Sequence, residues 1–124
     1  MLFKKTFEFD VQGKTIGFKF GMAASAYFCE MEGVTLGKMQ DKLMDPSPKT
    51  AINCALAAAR AYNESKGINT EIKFHEVADW LDEIGIDKFF MKIYEKLEVY
   101  QDKEEKEELE KNQEAPILTG LNGQ

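Results

Sequence analysis

Histidine and cysteine are scarce in this 124-residue chain, which contains one histidine and two cysteines. A mechanism that uses two imidazoles is therefore excluded, and a Ser-His-acid or Cys-His site would have to use His75. The stretch Lys-Phe-His-Glu-Val-Ala-Asp places His75 at the start of a predicted helix. Neither cysteine nor any serine stands in a nucleophile motif. We therefore predict that the protein is not an enzyme.

The same scarcity argues against a metal ion or a cofactor. Cys29, Cys54 and His75 are single residues more than 20 positions apart, unlike the paired ligand spacings of structural zinc sites. Gly13-Lys14 lacks the spacing of a phosphate-binding loop. Each cysteine lies in an apolar helical pattern and is predicted to be a free, small hydrophobe. A solvated position on the polar face of a helix is predicted for five carboxylates: Glu30, Glu32, Asp79, Asp82 and Glu83.

A long apolar run is also lacking, because Met1 is followed by Leu-Phe-Lys-Lys and then by alternating polar residues. Neither an export signal nor a membrane span is predicted, so we expect a cytosolic protein. The formal net charge is −6, of which residues 101–124 contribute −4 with seven acids and three lysines. No segment gathers basic side chains, and a nucleic acid is therefore not expected as a partner.

What the chain does contain is a globular balance of 44% apolar and 31% charged residues, with nine Phe, four Tyr and one Trp. One domain with a single core is predicted. Residues 2–20 alternate apolar and polar side chains around Gln12-Gly13, the pattern of a β-hairpin. A lone two-stranded ribbon is marginal in water, so its apolar face should lie on helices or on another subunit.

Helical periodicity follows the hairpin. A first helix is predicted to end at Gly33, and Thr35 is a candidate cap for a second, which stops at Asp45-Pro46. Ser47 is predicted to cap a third helix over about 48–66, placed centrally because its alanines permit close packing. A fourth helix is predicted after Phe74, up to Gly85. Its apolar side is formed by Val77, Trp80, Leu81 and Ile84.

A fifth helix is predicted with Asp87 as its cap and with an apolar arc wider than that of an ordinary surface helix. Beyond it, residues 101–124 are predicted to be an acidic tail, frayed or partly disordered. The predicted fold class is α+β, mainly α: an N-terminal hairpin and about five short helices in a domain over 1–100, followed by the tail.

Two surfaces are candidates for protein partners. The unpaired edges of the hairpin can pair with another chain, and the wide arc of the fifth helix can receive a helix or an extended segment. The alternative for both is that they fill the core of this domain. The predicted partner-binding residues are Phe89, Phe90, Ile93, Tyr94, Leu97 and Tyr100.

The order of elements resembles that of the tail assembly chaperones of long-tailed, siphovirus-like bacteriophages. The resemblance spans about residues 3–100 and rests on the hairpin and three segments. These are Phe-Gly-Met-Ala-Ala-Ser-Ala-Tyr-Phe at 20–28, Glu-Gly-Val-Thr-Leu at 32–36 and Phe-His-Glu-Val-Ala-Asp-Trp-Leu-Asp-Glu-Ile-Gly at 74–85.

The resemblance implies a non-enzymatic chaperone of virion assembly that keeps the long tape measure protein soluble and helps recruit tail tube subunits. It also implies self-association, a place in the cytoplasm of the infected host, and absence from the mature virion. Two other classes stay open: a structural or connector subunit of a virion, and a small acidic regulatory protein that binds a host protein.

Overall fold

The structure, a computed structural model, describes residues 5–97 and confirms the α+β, mainly α fold with a hairpin followed by five helices. The elements are β1 (Thr6–Val11), β2 (Lys14–Lys19), α1 (Met22–Glu32), α2 (Leu36–Met44), α3 (Pro48–Ser65), α4 (Phe74–Ile84) and α5 (86–97). Within these residues, no helix is both long and apolar enough to cross a membrane. Tyr100 and the predicted acidic tail lie outside the described residues.

The hairpin is antiparallel, with Phe7 opposite Phe18 and Phe9 opposite Ile16. Its two-residue turn has positive φ at both positions, 53° at Gln12 and 77° at Gly13. These are the dihedral signs of a type I′ turn, whose twist matches that of paired strands. The predicted turn at Gln12-Gly13 is confirmed.

The apolar face of the hairpin packs on helices of the same chain. The Phe18 ring lies 5.1 Å from the ring of Phe89 on α5 and 6.1 Å from that of Trp80 on α4, and it is fully buried. The stacked Phe7 ring lies 5.4 Å from Phe18. The edge-to-face pairs join the hairpin to α4 and α5, and the stacked pair joins its two strands.

α3 is the central helix, as predicted, and it packs against β2, α1, α2 and α4. Six alanines and Cys54 are buried along it, and such small side chains let the neighbouring elements approach closely. The closest approach is at Gly17 of β2, where a Cβ atom would lie 2.3 Å from the Tyr62 ring. A larger residue at this position would therefore force the Tyr62 ring to move.

Of the three predicted helix caps, Ser47 and Thr35 occupy the predicted N-cap positions and Asp87 does not. Ser47 caps α3 as predicted, since its hydroxyl accepts a hydrogen bond from the Thr50 N–H at 3.1 Å. Thr35 occupies the N-cap position of α2 without a side-chain cap bond. Asp87 is not the cap of α5, because the helix already begins at 86 and the Phe89 N–H donates to the Gly85 carbonyl at 3.1 Å. Asp87 instead lies in the first turn, where a negative charge interacts favourably with the helix dipole.

Candidate functional site

An open apolar groove of about 580 Å³ lies between the start of α1, one side of α2 and the end of α5. We call it the α1/α2 groove. Its apolar lining consists of Phe20, Met22, Leu36, Met39, Leu43 and Leu97. The rim carries polar and charged side chains from α2, from α5 and from the residue before β1: Gln40, Lys96 and Lys5.

The floor and the walls of the groove differ in exposure. Phe20 and Leu43 are buried, whereas Met22 is 73% exposed and Leu36 is 56% exposed. Apolar side chains as exposed as these contribute little to the stability of the folded chain. A methionine adapts its shape to different apolar surfaces, so a wall of this kind suits contact with another molecule.

Local sequence explains why the groove is open. Gly21 precedes α1, and the hydroxyl of Ser25, a residue that lines the groove, donates to the Gly21 carbonyl at 2.9 Å. Gly37 adds no side chain to the wall formed by α2, and a Cβ there would meet only the Thr35 hydroxyl, 3.9 Å away. The Ser25 hydroxyl is thus hydrogen-bonded within α1, and the wall formed by α2 has a gap at Gly37.

The structure places five of the six predicted partner-binding residues, and these five fall into three settings: the core, the α1/α2 groove and the contact with α2. Phe89 and Ile93 are completely buried and Phe90 is 3% exposed, so these three belong to the core of the domain. This is the alternative that the sequence left open for the arc. Leu97 is half-buried and lines the α1/α2 groove, while Tyr100 lies outside the described residues.

Tyr94, the remaining predicted residue, connects α5 to the end of α2. Its hydroxyl donates to the Leu43 carbonyl at 2.7 Å, and burial raises the pKa of this hydroxyl. Its ring also borders a smaller apolar depression with Pro46, Ile86 and Met91, the last of which is 69% exposed. Tyr94 therefore stabilises the α2–α5 contact from outside the α1/α2 groove.

The structure corrects the predicted solvated position of Glu32. Its side chain is 7% exposed and accepts hydrogen bonds from the Thr50 hydroxyl at 3.0 Å and the Asn53 amide at 2.8 Å. The Lys42 ammonium lies 3.5 Å away. Burial alone would raise the pKa of Glu32, but the two hydrogen bonds and Lys42 outweigh it and lower this pKa. The cluster joins α1, α2 and α3.

Glu83 also has a specific contact that its position on the polar face of α4 did not reveal. The Gln12 N–H of the hairpin turn donates to its carboxylate at 3.0 Å, across 71 residues of sequence. Glu30, Asp79 and Asp82 are exposed, as predicted. A carboxylate on a polar helix face thus acquires a structural role only where the fold brings a partner to it.

The residues considered for catalysis or metal binding lie apart from one another. The His75 side chain is 90% exposed, with its Nε2 atom 3.7 Å from the Asp79 carboxylate. Cys54 is completely buried, and this burial, with the nearby Glu32 charge, raises the pKa of its thiol. Cys29 is a half-buried free thiol. Among residues 5–97, no three His, Cys, Asp or Glu side chains are grouped so that they could hold a metal ion.

Comparison with known proteins found no matching family model, no matching curated protein and no matching solved structure.

Proposed function

We propose that this protein is a non-enzymatic tail assembly chaperone of a long-tailed bacteriophage, and that it binds apolar helical segments of the tape measure protein. The observation that supports this proposal is the α1/α2 groove with its exposed methionine and leucine wall. A long helical protein exposes apolar surface before assembly and is prone to aggregate. Covering that surface is the task of the chaperone.

The dimensions of the groove suit a helix. α2 has nine residues and is therefore about 13 Å long, which matches roughly two turns of a partner helix. Helices bound in grooves place apolar anchors at positions i, i+3 or i+4, and i+7. Met22 and Leu36 on the walls and Phe20 on the floor are positioned to contact such anchors.

Many copies acting together compensate for a small contact area. A single short groove binds weakly, but copies arranged along one long partner gain affinity through avidity. Each copy carries a net charge of −6. Because coated complexes therefore repel one another, the coat keeps them soluble. The proposal therefore includes self-association, tail tube subunits as further partners, action in the cytoplasm of the infected host, and release before the virion matures.

The test is co-expression with the long helical protein encoded beside this chain. The expected result is a soluble complex that contains several copies of this chain for each partner. Met22→Asp with Leu36→Asp should abolish the complex, because both side chains line the groove and are exposed enough to be replaced without unfolding. Met91→Asp is the control, since the exposure of Met91 lies between those of Met22 and Leu36 and Met91 lies outside the groove.

Two results would contradict the proposal. One is loss of solubilisation in the Met91 control to the same extent as in the groove variant. The other is mass spectrometry that finds this chain inside purified particles, which would indicate the alternative of a structural or connector subunit.

A further inference from the structure

A second surface, independent of the groove, is the outer edge of strand β1. Val11 and Lys14 flank the two-residue turn, and this pair is the hydrogen-bonded one in such hairpins. Hydrogen-bonded and non-hydrogen-bonded pairs alternate along an antiparallel ladder. The pair of Lys5 and Phe20 fits this alternation as a hydrogen-bonded pair, because the Phe20 N–H donates to the Lys5 carbonyl at 2.9 Å. Thr6, Glu8 and Asp10 therefore direct their backbone N–H and C=O groups away from β2.

These backbone groups have no hydrogen-bond partner among the described residues. Both strands are edges of the two-stranded sheet; β2 packs against α3, and β1 contacts α4. We call the outward backbone groups of Thr6, Glu8 and Asp10 the β1 edge. Alternate residues of a strand are about 7 Å apart, so the edge offers three regularly spaced donor and acceptor pairs over about 14 Å.

Two acidic side chains of β1 lie beside the β1 edge, and the basic Lys19 of β2 lies on the same face of the hairpin, opposite Thr6. Glu8 and Asp10 are exposed on the same face of the strand. Asp10 accepts a hydrogen bond from the Thr15 hydroxyl at 2.9 Å, whereas Glu8 lies opposite Gly17, which has no side chain to pair with it. On the other face, Phe9 is only half-buried at the rim of the aromatic core.

The charge of Glu8 and Asp10 argues against a second copy of the same strand. Antiparallel pairing of two β1 strands about their centres would place acids of one copy beside acids of the other. Like charges at opposing positions destabilise a strand pair, and opposite charges stabilise it. Charged side chains on an edge are a known protection against self-pairing, so a partner of the opposite charge fits this edge.

We propose that the β1 edge binds an extended segment of another protein in which lysine or arginine residues alternate with an apolar residue. The segment adds a third, antiparallel strand to the sheet. Its basic side chains lie beside Glu8 and Asp10, and the apolar residue between them covers the exposed part of Phe9. The backbone hydrogen bonds supply affinity, and the alternating side chains supply specificity.

The test uses the full chain and the acetylated, amidated peptide Lys-Val-Lys-Val-Lys-Thr. Binding is followed by fluorescence anisotropy and by NMR, with shifts and slowed hydrogen exchange expected at the amides of Thr6, Glu8 and Asp10. A peptide with glutamates in place of the lysines should bind at least about tenfold more weakly, given the range for cross-strand charge pairs. Backbone N-methylation of the lysines removes the donors that face the edge and should abolish binding.

The protein variant Glu8→Lys with Asp10→Lys should reverse the preference between the basic and acidic peptides. Glu30→Lys with Asp41→Lys changes the net charge equally at exposed helix positions and should leave the preference unchanged. Equal binding of the N-methylated peptide, equal effects of the two double variants, or amide shifts confined to other elements would each overturn the proposal. Concentration-dependent dimers with protected β1 amides would also overturn it, in favour of self-pairing. The peptide comparison alone decides the question if the edge variant does not fold.

Discussion

The molecule divides into a buried scaffold and an exposed wall. The scaffold consists of the hairpin, α3 and α4, and nine of the 18 residues of α3 are buried. The wall consists of α2 and the first turn of α1, and only Met39 and Leu43 are buried in α2. Both regions contain apolar residues at helical spacing. The difference teaches that periodicity identifies a face, whereas the neighbouring elements decide whether that face is core or binding surface.

The largest effect is expected for Trp80→Ala in the scaffold. Trp80 is 8% exposed and its ring packs against Phe18. Deleting a buried aromatic side chain removes its burial energy and leaves a cavity, so the free energy of unfolding should fall by about 3 to 5 kcal/mol. Chemical denaturation measures this change. A value near zero would show that the scaffold does not depend on this contact.

A smaller destabilisation, about 1 to 3 kcal/mol, is expected for Gly17→Ala, because the new methyl group would overlap the Tyr62 ring. The companion variant is Tyr62→Ala. In that background the same substitution should cost much less, since the ring is gone, and a double-mutant cycle by denaturation measures the difference. Strict additivity of the two substitutions would contradict the close packing of β2 on α3.

The contact between scaffold and wall should depend on pH through Glu32. Its pKa is lower in the folded protein than in the unfolded chain, so its contribution is fully present above the unfolded pKa. That contribution is lost as the pH falls through the folded pKa. Glu32→Gln should cost about 1 to 2 kcal/mol at pH 7, and thermal unfolding should show that the cost shrinks below about pH 4. The exposed Glu30→Gln is the control, with a change within about 0.5 kcal/mol.

The smallest effect on stability is expected for Leu36→Ala in the wall. Because Leu36 is 56% exposed, its truncation should change the free energy of unfolding by less than about 0.5 kcal/mol. It should still weaken partner binding in the co-expression experiment. Leu43→Ala, on the buried side of the same helix, should instead cost about 2 to 5 kcal/mol. Equal costs for the two leucines would remove the distinction between scaffold and wall.

The candidate site was less predictable than the fold. The bounds of α1, α3 and α4 follow from local signals, such as the positive φ at Gly33 and the cap at Ser47. The sequence pattern shows that the α5 arc is apolar but not what covers it. In the structure, Phe89 and Ile93 belong to the core, and Phe89 packs against Phe18 of the hairpin. The groove joins residues from 20–25, 36–43 and 96–97, and no local pattern relates these segments.

The sequence by itself determined the hairpin, its turn and the order of five helices, because turn dihedrals, caps and apolar periods act between residues close in the chain. Only the tertiary structure decided that the Glu32 side chain is buried with Thr50 and Asn53, that α5 faces the core, and that β2 packs against α3. Each of these depends on contacts between residues distant in sequence. Burial and pairing are properties of the assembled elements, not of any one of them.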